Sequence, residues 1–112
     1  MIKVILKTKD KNIVGFQVSG HAGYAEYGKD IVCSAVSVLS INAINTLEEI
    51  LKLKEEIKYY LEDNFIDLDL VTDKLDDKKM HDTQLTLKSF EMGITSVLKE
   101  YQESVELYYK EV

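Results

Sequence analysis

Along the first nineteen residues, apolar and polar side chains alternate: Ile2, Val4 and Leu6 against Lys3 and Lys7, then Val14, Phe16 and Val18 against Gly15, Gln17 and Ser19. A period of two marks strands. The polar Lys9-Asp10-Lys11-Asn12 between the two runs predicts an antiparallel hairpin over residues 2–8 and 13–19. Residues 20–29 hold three of the five glycines and read as a mobile loop. From residue 31 to about 53 the pattern becomes helical, and Ile31, Val32, Ala35, Val36, Val38, Leu39, Ala43, Ile44, Leu47, Ile50 and Leu51 leave little of its first half polar. A helix apolar nearly all round is expected to be buried. Asp30 stands where an N-cap would, which puts Cys33 near the third helical position.

Two further alternating runs, Ile57, Tyr59, Leu61 and Ile66, Leu68, Leu70, flank Glu62-Asp63-Asn64 and predict a second hairpin with an acidic outward face at Asp67 and Asp69. Residues 72–79 read as a charged connector. Leu87, Phe90, Ile94, Val97, Leu98 and Tyr101 then recur at helical spacing, and Val105, Leu107 and Tyr109 suggest a closing strand. The order ββαββαβ predicts an α+β fold: a single domain spanning residues 1–112, with one mixed or antiparallel sheet packed against two helices.

Composition narrows the chemistry. The 112 residues suit one core. No run of about 18 apolar residues and no leader-like start predict a soluble, cytoplasmic protein without membrane attachment. One cysteine cannot make an internal disulfide. The net charge is −6 and every basic residue is a lysine, which disfavours both a nucleic-acid partner and phosphate chemistry that needs an arginine fork. A basic protein partner suits this charge better, drawn in by a long-range attraction that salt should weaken. Cys33 with His21 and His81 gives no zinc spacing, and neither a CxxC pair nor a phosphate-binding glycine loop is present. No metal or cofactor is expected.

What remains is Cys33 itself, in Asp30-Ile31-Val32-Cys33-Ser34-Ala35-Val36-Ser37, twelve positions after His21 in Gly20-His21-Ala22-Gly23. A thiol becomes a nucleophile on ionising, which an adjacent imidazole or a helix N-terminus promotes. First-turn amides could also hold an oxyanion. Gly20 and Gly23 allow unusual backbone angles beside His21, and Ser37 and Ser40 fall on the helical face of Cys33. Each feature has a plainer reading: a core thiol, a turn histidine, a helix cap and small packing residues.

Taken together, Gly20-His21-Ala22, a glycine-containing loop and Asp30-x-Val32-Cys33-Ser34-Ala35-Val36-Ser37 resemble the signature of the ribosomal-processing cysteine protease family, Prp, and the late Phe90-Glu91-Met92-Gly93-Ile94 is also similar. The resemblance implies a cytoplasmic, homodimeric cysteine endopeptidase that removes the N-terminal extension of a large-subunit ribosomal protein. It implies Cys33 as nucleophile and His21 as base, with Gly20, Asp30 and Ser37 at the other motif positions. The competing expectations are a non-catalytic dimeric module that binds a basic ribosomal protein and, more weakly, a redox sensor that uses Cys33 across a dimer.

Overall fold

The computed structural model describes residues 1–20 and 29–112, with Lys29 and Asp30 described in their backbone alone. Five strands form one sheet: β1 (Ile2–Lys9), β2 (Asn12–Ser19), β3 (Ile57–Glu62), β4 (Phe65–Leu70) and β5 (Val105–Glu111), ordered β3-β4-β2-β1-β5. Every neighbouring pair is antiparallel except β1 with β5, which run parallel, so the sheet is mixed. Helices α1 (Lys29–Asn45) and α2 (Asp77–Glu100) complete the expected ββαββαβ order.

The β1–β2 turn places Asp10 and Lys11 at φ 51° and 68°. Two consecutive left-handed residues match the right-handed twist of a hairpin, although neither is glycine. Ile2, Val4, Leu6, Phe16, Val18, Ile66 and Leu68 form the inner face of the sheet, covered by Val32, Val36, Ile44 and Leu47 of the first helical segment and by Leu87, Phe90 and Ile94 of α2. Phe16 stacks on Phe90 with ring centroids 4.2 Å apart. A Cβ on Gly93 would stand 2.7 Å from Leu39 Cδ2, so glycine at this position lets α2 lie close against α1.

On the outer face, Lys7 Nζ bonds Asp67 at 2.6 Å and Asp69 at 2.8 Å, bridging two strands. A Cβ on Gly15, whose partners in the ladder are Lys7 and Asp69, would meet the Leu68 carbonyl oxygen at 2.3 Å. The expected acidic face of β4 is thus partly neutralised by a lysine from β1.

Four expectations about the helices need correction. The first helix begins at Lys29, so Asp30 is its second residue and not its N-cap. It runs through a π-helical turn at Thr46–Ile50 and stops before Leu53, where Lys52 takes a left-handed φ of 57°. It is also not buried all round: Ile31 and Val38 are 58% and 65% exposed. The stretch Ile31–Ile50 is, among the described residues, long and apolar enough to cross a membrane by length and composition, yet its Val32, Val36 and Leu47 are core residues. The supposed connector already contains the start of α2, capped by Asp76, whose carboxylate accepts from the Lys79 amide at 2.8 Å. A first turn made of Asp77, Lys78 and Lys79 has no apolar period to reveal it.

Candidate active site

Cys33 is the fifth residue of α1. The helical ladder gives its amide a partner four residues back, at the Lys29 carbonyl. The free donors of this terminus are therefore the amides of Lys29, Asp30 and Ile31, about 3–6 Å back along the axis at 1.5 Å per residue. Helical Cα–Cβ bonds tilt toward the N-terminus, so the thiol leans back toward those amides rather than standing among them. The end of the dipole that favours an anion still lies at this terminus.

Burial along the helix explains why this thiol is reachable. Ser40, seven residues on and nearly below Cys33, is fully buried and donates to the Val36 carbonyl at 2.7 Å. It serves the helix and the core, the plainer of its two readings. Cys33 packs against the same core but is only half-buried, so that side of the helix opens toward its start. Ser37, one turn from Cys33, is half-buried on the same flank.

Gly20 directly follows β2 with φ +76°, a left-handed conformation suited to glycine. A Cβ there would approach the Met1 carbonyl oxygen at 3.1 Å. Its position in the motif thus has a backbone reason: the residue directly after β2 takes a left-handed φ. His21 itself, the loop expected to be mobile and the side chain of Asp30 lie outside the described residues. Gly20, Cys33 and Ser37 are the motif positions whose surroundings can be described.

Sequence reasoning did not foresee the surroundings of the Cys33 flank. Cys33, Ser37, Ile41 and Glu48 recur at helical spacing, and the Glu48 carboxylate accepts from the Tyr59 hydroxyl of β3, a bond that holds the phenol above its usual pKa. That contact sets the Glu48 end of the helical segment beside β3. Tyr59 and Leu61 lie on the side of β3 that faces the helices, yet are 42% and 45% exposed. The helix layer therefore stops short of the sheet edge and leaves an open trough between α1 and β3. Only the exposure pattern could have hinted at it: Tyr-Tyr-Leu in an edge strand reads simply as strand.

Such an arrangement can do thiol chemistry on an extended chain. A half-exposed cysteine stands near a helix N-terminus, and exposed apolar side chains of β3 face the helix layer. The comparisons with known proteins agree. The family model described as cysteine protease Prp matches residues 1–106. The ribosomal processing cysteine protease Prp of Bacillus subtilis is 24% identical over 107 residues, covering 90% of this chain and 89% of the relative. The crystal structure of the essential ribosomal processing protease Prp from Staphylococcus aureus, in complex with a substrate peptide, superposes with a TM-score of 0.80 at 25% identity, covering 98% of this chain and all of that one. The same S. aureus protease with a covalently linked product peptide gives a TM-score of 0.77 at 27% identity, with the same coverage. Motif, fold and family model converge, and the chain belongs to the Prp family of cysteine proteases.

Proposed function

We propose that this protein is the cytoplasmic endopeptidase that removes the N-terminal extension of a large-subunit ribosomal protein, with Cys33 as nucleophile and His21 as base. The observation that carries the reading is the family match over residues 1–106, in which the cysteine motif falls on a half-exposed helical position. Its relatives are named for ribosomal processing, and the S. aureus structure with a covalently linked product peptide supports a covalent route.

In this mechanism His21 takes the proton of the Cys33 thiol, and the thiolate attacks the scissile carbonyl carbon. The amides at the start of α1 and the positive end of its dipole stabilise the oxyanion. The tetrahedral intermediate collapses as the imidazolium gives its proton to the leaving amine. Water, deprotonated by His21, then hydrolyses the thioester and frees Cys33. Gly20 takes a left-handed conformation directly after β2, Asp30 lies in the first turn of α1, and Ser37 stands one helical turn beyond Cys33. The reaction requires no metal or cofactor.

The working unit is a homodimer. Between Ile31 and Leu47 the helix carries no charged side chain, and its exposed Ile31 and Val38 offer apolar surface that a second copy could cover. The mechanism is tested with folded Cys33→Ala and His21→Ala proteins and a synthetic peptide spanning the extension and its cut site. Cys33→Ala should give no turnover, and His21→Ala should lose about 10²–10⁴-fold in kcat, the usual contribution of a general base. Wild-type turnover by either folded variant rejects the assignment.

A further inference from the structure

Among the described residues the sheet has two free edges, β3 and β5, and they are finished differently. At β5, Val105 is buried, Leu107 is half-buried against the core, and the Tyr109 hydroxyl donates to Glu91 of α2. At β3, by contrast, Tyr59 and Leu61 face the helix layer uncovered. Natural proteins blunt or cover edge strands because bare apolar edges recruit other strands. An edge left apolar beside a nucleophile points to use.

The direction of the backbone groups on this edge follows from the ladder. The Val71 amide donates to the Glu56 carbonyl at 2.8 Å, so at this junction Glu56 faces β4. Backbone groups alternate along an antiparallel strand, so Lys58, Tyr60 and Glu62 face β4 as well. The amides and carbonyls of Tyr59 and Leu61 therefore point to the free edge. At the far side of the sheet the same alternation is met, where Ile2 donates to Ser104 and Thr8 accepts from Val112, both toward β5. Tyr59 and Leu61 thus present strand hydrogen-bonding groups along the edge that no described residue takes up, while their side chains floor the trough.

The trough also leads to the nucleophile. α1 and β3 are joined by a short connection and run in opposite senses, so β3 climbs toward the end at which α1 starts. Glu62 shares that end with Gly20, since Glu62 and Ser19 both pair with Phe65. Cys33, Ser37 and Ile41 line the helical wall, and Glu48 stands lower down.

We infer that the substrate peptide docks as an added strand on β3. An extended segment on one side of its scissile bond exchanges hydrogen bonds with the backbone of Tyr59 and Leu61, packs alternate side chains between Leu61 and Ile41, and presents a basic side chain toward Glu48. This rests on the endopeptidase reading and adds how the chain is held. Strand addition takes affinity from the main chain and specificity from every second side chain. The six residues of β3 offer about 20 Å of edge at 3.3 Å per residue.

Leu61→Pro tests the docking. Proline removes the outward amide at position 61 while leaving the β4 ladder intact, as edge strands tolerate. The probe is a fluorescent peptide spanning the extension and cut site, bound to the Cys33→Ala protein and monitored by anisotropy. Adding Leu61→Pro should weaken binding by about tenfold, the equivalent of one or two lost hydrogen bonds. With wild-type enzyme, N-methylation of successive peptide amides should raise KM at every second position within the docked segment. Unchanged peptide affinity in a folded Leu61→Pro protein, or N-methyl effects without a period of two, overturns strand addition. Absence of peptide binding to the Cys33→Ala protein overturns it as well. Binding without cleavage by the wild type instead removes the protease reading and leaves the docking judged by anisotropy.

Discussion

Gln84 sets a stability prediction that can be worked through from the structure. Its Oε1 accepts from the Ile13 amide and its Nε2 donates to the Ile13 carbonyl, both at 2.8 Å and both buried. The need arises from a β-bulge: the β1–β2 register passes from Lys7 opposite Gly15 to Thr8 opposite Ile13, leaving Val14 unpaired. Pairing of β2 with β4 also stops at Gly15, so the Gln84 amide supplies Ile13 with the partner a longer β4 would provide. Gln84→Leu keeps roughly the volume and removes both bonds. Two buried backbone groups left without partners cost about 2–4 kcal/mol together, against a total stability of about 5–15 kcal/mol for a domain. With a urea m-value of about 2 kcal/mol per M, the unfolding midpoint should fall by about 1–2 M at unchanged m. Gln84→Glu, which keeps the acceptor for the amide, should fall between. Both midpoints within about 0.2 M of wild type would show that water satisfies Ile13 and that the clamp is dispensable.

Three further outcomes follow from the packing and the charges. Gly15→Ala places a Cβ 2.3 Å from a backbone oxygen that cannot turn aside, and should lose about 1–3 kcal/mol in the same unfolding assay; an unaffected midpoint would contradict the close approach of β4. Gly93→Ala meets only the tip of the Leu39 side chain, and alanine gains up to about 1 kcal/mol of helix propensity. Its stability should therefore stay within about 1 kcal/mol of wild type, whereas Gly93→Leu should be clearly destabilised; equal behaviour of the two would deny the tight helix contact. Tyr109 is pushed up to about 12 by its hydrogen bond to Glu91. The protonated phenol is favoured in the fold, so the stability advantage of wild type over Tyr109→Phe should hold below pH 10 and shrink as the pH rises toward 12. An advantage that grows over that range would reverse the assigned sign.

The element order was legible because each strand and helix carries its period in a few consecutive residues. The alternation of Ile2, Val4, Leu6 and the helical spacing of Leu87, Phe90, Ile94 need only local reading. The parallel pairing of β1 with β5 was not legible, since Val4 meets Leu107 across nearly the whole chain and nothing local records it. Polar and covered segments misled in opposite ways. The first turn of α2 hid behind charges, while the apolar run of α1 suggested complete burial although one face is bare. The chemistry was visible as a motif around Cys33 and as a glycine required by the φ of Gly20. The trough between α1 and β3 was not, because it depends on where the helix layer ends over the sheet.

The central claim is that Cys33 cuts one bond in the extension of a ribosomal protein. Mass spectrometry of that extended protein, after incubation with wild-type enzyme and in parallel with Cys33→Ala, tests it most directly. A single cleavage within the extension, made by the wild type alone, is the predicted result. Intact substrate with both proteins, together with a Cys33 thiol that resists alkylation, would contradict it and favour a non-catalytic binding module.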